Sequence, residues 1–237
     1  MEFNGFESVQ EAAEMQELQD MNEAIREPEV MEVPGMGDVL VGGEPYEVAD
    51  SLDDNQGDNL YNCQGDCGLV SVANLLTLAG QEVTEDDVVG TALANGLCQY
   101  DPHADPGENG GTNGYSRQAL LGLYGISSSV YDDKNGAGSL DAIADYVDAG
   151  HGVNISVNAG YAWGEPAYVG DGSSNHSIIV TGSVRDPETG DLKGLIVCDS
   201  GLTDRDSASM FLSVEELEDA YVNANGSTCL VTDEPIR

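Results

Sequence analysis

Apolar positions along the chain follow a helical spacing in the first two thirds and alternate with polar ones in the last third. Behind Ser8 and Glu11, which form a capping-box pattern, Val9, Ala12, Met15, Leu18, Met21 and Ile25 recur every three or four residues and predict a helix over 8–26. From Glu27 to Asn59 the pattern dissolves into Pro28, Pro34, Pro45, glycines and acids, as suits a linker or an extended segment lying across a surface. A domain is therefore expected over 60–237, with 1–59 as a helical leader and Gly/Pro/acid-rich linker. Two readings of that leader stay open: a helix and strap belonging to the fold, or a pro-segment covering a site.

Beyond Leu60 the elements are legible. Leu69, Val72, Ala73, Leu75 and Leu76 predict a helix from Cys67 to Ala79, stopped by Gly80. Thr84, with Asp87 three residues on, predicts a second helix to Asn95; Ser116 opens a short one to Leu123, and Ser139 caps another to Ala149. A polar, glycine-rich loop over 99–114 separates them. The period then changes to two. Val153, Ile155 and Val157 alternate with polar residues as a half-buried strand should, and Ser177–Gly182 and Gly194–Asp199 read as strands joined by a turn at Asp186–Gly190. Ser213 and Glu216 cap a late helix, and Thr228–Thr232 closes the chain as a strand. Helices first and antiparallel strands after them give an α+β domain.

Composition narrows the partners. The 237 residues carry 44 acidic against 7 basic side chains, a formal charge of −37. A chain that binds nucleic acid or an anionic membrane gains affinity from Lys and Arg on phosphates, so neither is expected as a partner. An apolar share of 40% and ten tyrosines argue for a buried core rather than disorder. Met1–Met15 lacks a basic region followed by an apolar one, and no run reaches the ~18 apolar residues of a membrane span, so a soluble chain is expected, cytoplasmic or exported by an unconventional route. The oligomeric state is not legible.

Candidate chemistry starts from five cysteines, at 63, 67, 98, 198 and 229, an odd count without disulfide-scaffold spacing. Cys67 stands at the first turn of a predicted helix, where unpaired backbone N–H groups favour thiolate; a small buried hydrophobe at the start of a core helix is the competing reading. Of three histidines, His103 lies in the polar loop and His151 in a turn between glycines. His176 sits at the start of the apolar strand Ile178–Val180, where a rigid sheet would hold a base. Asp199, at the end of the next strand, is brought beside His176 by the hairpin and can orient the imidazole.

These segments together resemble a family. Asp66-Cys67-Gly68-Leu69-Val70-Ser71-Val72-Ala73 is similar to the D-C-G-x-x-S-x-A helix of papain-like cysteine peptidases of the C39-like group. Asn175-His176-Ser177-Ile178-Ile179-Val180-Thr181-Gly182 resembles their H-x-I-x-V-T-G strand, and Leu195–Gly201 the strand that ends in D-x-x. The resemblance runs over residues 60 to 202 in the right order. It implies a papain-like fold, Cys67 as nucleophile, His176 as general base and acid, and Asp199 as the residue orienting the imidazole. The family's oxyanion glutamine lies about six residues before the cysteine, where this chain has Tyr61. Gln64 is assigned that role, with Asn62 or the Cys67 backbone N–H as alternatives.

No cofactor is expected. The 99–114 loop, with Asp101, His103, Asp105, Glu108, Asn109 and Asn113, is rich in oxygen ligands but lacks the order of a calcium loop, and it reads first as a flexible wall of a substrate cleft. The expected function is hydrolysis of a peptide or isopeptide bond in a peptide or protein substrate, with a basic segment as the electrostatic guess. Two alternatives use the same fold: deamidation or acyl transfer by the same triad, and an inactive module that only binds peptide.

Overall fold

In the computed structural model, residues 28–33, 36–43, 52, 55–202 and 209–237 are described; the helix expected over 8–26 and most of the leader lie outside them. Two strands, β1 (Glu29–Val33) and β2 (Gly37–Gly43), open the described chain. Three helices follow: α1 (Cys67–Leu78), α2 (Glu85–Asn95) and α3 (Gly114–Leu123). Next come β3 (Ser128–Tyr131), α4 (Leu140–Asp148), β4 (His151–Val157) and the single turn α5 (Ala159–Ala162). The chain ends with β5 (His176–Arg185), β6 (Leu192–Cys198), β7 (Ser209–Ser213), α6 (Val214–Leu217) running into a wide turn over Glu218–Val222, and β8 (Cys229–Pro235). This is the expected α+β class.

Local chemistry explains the helix ends. Thr84 and Asp87 form a reciprocal capping box on α2, and Gly96 in a left-handed conformation closes it. Ser213 and Glu216 form a second box on α6. Helix α3 starts two residues before the predicted Ser116, because the side chain of Asn113 accepts from the Ser116 N–H and acts as the cap.

The strands form one antiparallel sheet in the order β1-β2-β5-β4-β8-β3, with β6 on β5 and β7 on β6. Strand β5 is its axis. Along one edge it pairs with β4 over His176–Val180 and with β2 over Gly182–Arg185; β6 takes the other edge. Residues 29–33 and 37–43, expected within a linker or an extended segment lying across a surface, are thus two paired strands hydrogen-bonded to the sheet. Gly42 shows why the segment is glycine-rich: a Cβ there would lie 2.1 Å from the Asp148 carboxylate and 2.8 Å from Ser183 Oγ.

Apolar side chains pack on both faces of the sheet. Leu69, Leu75 and Leu76 of α1, with Val88, Leu120 and Leu121, meet Ile179 and Leu230. Ile143 and Val147 of α4, with Tyr221, meet Ile155, Val180, Leu195 and Val231 on the other side. One expectation changes here. Strand β4 was expected to be half-buried, yet its polar residues Asn154 and Ser156 are buried as well, because that face turns toward α1 and α3 instead of water.

Candidate active site

Helix α1 brings Cys67 to the sheet. The side chain of its preceding residue, Asp66, accepts from none of the first-turn N–H groups, so the start of the helix keeps unpaired backbone N–H groups. The Asp66 side chain instead turns back into the 55–66 loop. There Oδ1 accepts from the Gly57 N–H at 3.0 Å and Oδ2 from Asn59 Nδ2 at 3.1 Å, and the same Asn59 amide donates to Glu85 Oε1 at 2.8 Å. Burial and the neighbouring Glu85 push the Asp66 carboxyl up to about 9, so it holds a proton at neutral pH. Gln64 N–H to Pro106 O and Gly65 N–H to Asn109 O tie this loop to the 99–114 loop.

Strand β5 begins at His176, paired in register with Val157 of β4. Its Nε2 is 2.7 Å from Asp199 Oδ1, so Nδ1 is left to face Cys67, with which the ring makes a side-chain hydrogen bond. Asp199 follows Cys198, which pairs with Ile179 on β5, and this register brings the carboxylate to the imidazole. The carboxylate is fully engaged: Oδ2 accepts from Trp163 Nε1 at 2.8 Å and Oδ1 also from the Gly201 N–H at 2.8 Å. Trp163 packs edge-on to His176 with ring centroids 5.1 Å apart. It is held there by α5, whose start is capped by Asn158 while the Asn158 amide pins the carbonyls of Val169 and Ser173.

Electrostatics favour an ion pair at this junction. Burial opposes the Cys67 thiolate, but the His176 charge, its hydrogen bond and Arg117 outweigh it, and the thiol lies below its ordinary value. For His176, burial opposes the imidazolium, while the Cys67 thiolate and Asp199 outweigh burial and push the ring from 6.5 up to about 10. Burial would raise Asp199, yet its bonds from His176, Trp163 and Gly201 hold it below the usual carboxylate value.

Helix and sheet are stitched together just behind these groups. Ser71 Oγ, one turn after Cys67, donates to the Cys67 carbonyl at 2.8 Å and lies 3.2 Å from Ser177 Oγ, the neighbour of His176. Asn154 of β4 donates to Ser177 Oγ and to the Ile178 carbonyl, both at 2.8 Å.

Cys67 and His176 open into a cavity of about 460 Å³. The 99–114 loop contributes its last residues, Gly111 to Gly114, to that cavity. Its acids serve the loop itself: Asp101 accepts from His103 N–H and Asp105 from Gly107 N–H. Among the described residues no group of three metal-binding side chains comes together. His103 is exposed, and His151 is bonded to the Thr232 carbonyl at 2.7 Å, away from Cys67. The other four cysteines form no disulfide among the described residues, and burial raises the thiols of Cys63, Cys98 and Cys229.

The oxyanion donors weighed from the sequence fare unequally. Gln64 is exposed, packs its side chain against Gly57 and does not line the cavity. Tyr61 packs on Gly90 and Asn62 is exposed with φ 57°. Cys67 does line it, at an uncapped helix start. Two residues that the sequence reading did not single out belong to the site. Trp163 is the one tryptophan of the chain, a signal that was available. Arg117, 2% exposed, lines the cavity; its only signal was helical spacing to Leu120 and Leu121, three and four residues on.

The chain is 29% identical over 135 residues to uncharacterized proteins of Mycobacterium bovis and Mycobacterium tuberculosis, a stretch covering 49% of this chain and 58% of each relative. It thus spans under two thirds of the length of the curated relatives it matches. A crystal structure of SERA5E from Plasmodium falciparum aligns with 80% of this chain and 93% of its own, at 14% identity and a TM-score of 0.44. The family model described as Peptidase_C39 like family matches residues 54–229.

Proposed function

The chain belongs to the Peptidase_C39 like family, and from that premise we propose that it is a cysteine peptidase hydrolysing peptide or isopeptide bonds. The family's papain-like arrangement, a helix-borne cysteine facing an antiparallel sheet, is the one this chain adopts. The observation that carries the proposal is the alignment of three groups: His176 is hydrogen-bonded to Cys67 on one side and lies 2.7 Å from Asp199 on the other.

In this mechanism the Cys67 thiolate attacks the scissile carbonyl, and the tetrahedral oxyanion is met by the Cys67 N–H at the helix start. The His176 imidazolium protonates the departing amine, which leaves a thioester on Cys67. The neutral imidazole then takes a proton from water, whose oxygen attacks the thioester and releases the acid and the thiolate. Asp199 keeps the imidazole in one tautomer and orientation, and Trp163 keeps Asp199 in place. Gln64, the side-chain candidate taken from the sequence, is exposed and outside the cavity lining, so Gln64→Ala should leave hydrolysis nearly unchanged if the Cys67 N–H is the main donor. The acidic chain would draw basic substrate segments over longer distances.

The test is incubation of the protein and of Cys67→Ala with a peptide and protein mixture, read by mass spectrometry. Cleaved chains that need Cys67 support the proposal. A Gln-to-Glu change or a crosslink that needs Cys67 replaces hydrolysis by deamidation or acyl transfer, and peptide retention with no product makes the domain a binding module.

A further inference from the structure

The cavity beside Cys67 is charged against the rest of the molecule. Acids make up 44 of the 237 residues, yet none of the fifteen described residues lining it is Asp or Glu. It contains Arg117, one of seven basic residues in the chain. The other walls near Arg117 are small and neutral: Thr112, Ser156 and Thr228.

Arg117 is buried without a carboxylate. Its Nη2 donates to Ser156 Oγ at 2.5 Å, and Ser156 in turn lies 3.1 Å from Thr228 Oγ1; Nη1 donates to Thr112 Oγ1 at 3.3 Å. Its buried Nε has no partner. Two hydroxyls satisfy two of the five donors on a guanidinium, and among the described residues no acid forms an ion pair with it. A buried cation left this way is costly, because its lost hydration is only partly replaced. Burial pushes Arg117 down to about 10, which leaves it charged at neutral pH.

Its location explains what such a charge is near. A Cβ on Gly68, the residue after the nucleophile, would lie 2.1 Å from Thr112 Oγ1 and 3.0 Å from Arg117 Nη1, so the guanidinium is packed directly against the first turn of α1. The Cys67 thiolate is the negative group that faces it. That charge vanishes once the sulfur is acylated, while Asp199 stays committed to His176, Trp163 and Gly201. An anion brought by the substrate would then replace the lost counter-charge.

We propose that Arg117 forms a carboxylate-binding subsite, so that the preferred substrate carries a carboxylate next to the scissile carbonyl. The carboxylate is either an acidic side chain or a free C-terminus. This rests on the peptidase reading for its substrate, but not for its test. A planar guanidinium with free N–H groups is the side chain suited to bidentate recognition of carboxylate.

The test compares alkylation of Cys67 by iodoacetate, which carries a carboxylate, with alkylation by neutral iodoacetamide. The ratio of the two rates cancels any change in the thiolate fraction. In Arg117→Gln the iodoacetate-to-iodoacetamide ratio is expected to fall about tenfold, and in Arg117→Lys to fall less, since an ammonium keeps the charge but not the fork. If Arg117→Gln does not fold, which labelling of Cys63 and Cys229 would reveal, the ratio in Arg117→Lys decides. An unchanged ratio overturns the proposal; an equal slowing of both reagents leaves the ratio unchanged and does the same, making Arg117 a support for the thiolate. On the wild-type protein, Ala-Ala-Glu-Ala amide and the free acid Ala-Ala-Ala are tested for protection of Cys67 against iodoacetamide. Protection by the first identifies an internal acidic residue, and by the second a C-terminal carboxylate. Protection by neither beyond that of Ala-Ala-Ala amide contradicts the subsite. Alkylation needs no peptide cleavage, so a chain that binds carboxylates but hydrolyses nothing would fail the peptidase proposal alone.

Discussion

The two walls that meet at Cys67 and His176 are held by different physics. On the sheet wall, backbone register does the placing: β4 pairs Val157 with His176, β6 pairs Cys198 with Ile179, and the catalytic candidates stand at strand ends. On the helical wall, polar side chains do it: buried Asp66 and Glu85 and half-buried Asn59 pin the loop before Cys67, and buried Arg117 lies against Gly68. A ladder of backbone bonds tolerates side-chain change. A buried polar cluster does not, since each lost partner strands a desolvated group. Damage to the sheet wall should therefore appear as lost chemistry with the fold kept, and damage to the helical wall as altered, pH-dependent stability.

The largest effect is expected where the walls meet. Cys67→Ala should remove peptide hydrolysis by about 10⁴-fold or more, measured as kcat/KM on whatever peptide the screen identifies. On the sheet wall, Asp199→Asn should cost about 10³–10⁴-fold in kcat, because the imidazole loses its tautomer and orientation. Trp163→Phe keeps the ring against His176 but removes the Nε1 donor to Asp199, and should cost about 10- to 100-fold, as loss of a supporting hydrogen bond does.

The helical wall gives a stability signature. Asp66 keeps its proton in the folded chain up to about 9, whereas an unfolded one releases it near 3.8. Between those values the folded state binds more protons, so this group's contribution to stability falls as pH rises. Glu85→Gln removes the neighbouring carboxylate and should flatten that decline, read as a smaller drop in Tm from pH 5 to pH 8. A steeper drop would mean that Asp66 is not the proton carrier. The smallest effect belongs to the hairpin at the sheet edge. Val39, 2% exposed against Val184 and Ile196, should cost about 2 kcal/mol when changed to Ala, measured by urea unfolding, with hydrolysis unaltered.

The same contrast explains what could be read in advance. Cys67, His176 and Asp199 sit on elements whose period and caps are local, so the order of helices and strands brought them together on paper. The elements that escaped were short or masked by stronger signals. β3 offers one aliphatic residue, Val130, and β7 runs straight into the Ser213 capping box. The β1–β2 hairpin hid behind Pro34 and its glycines, although Gly42 is required by close packing on Asp148. Ser156 was read as the outward side of a half-buried strand because alternation does not say what covers the polar face. Here it is the partner of Arg117. Arg117 shares a helix face with the core residues Leu120 and Leu121, three and four positions on, but a charged residue at that face is ordinarily read as its solvated edge.

The central claim is that Cys67 and His176 form a thiolate–imidazolium pair. It is tested most directly by the pH dependence of iodoacetamide labelling at Cys67, mapped by peptide mass spectrometry, in the wild type and in His176→Ala. Labelling should rise through a pKa below the ordinary thiol value of 9.0, with a further inflection toward 10 as His176 loses its proton, and in His176→Ala it should return toward the ordinary titration. Labelling of Cys67 that titrates near 9 in both proteins, or that is no faster than at Cys98, would contradict the account.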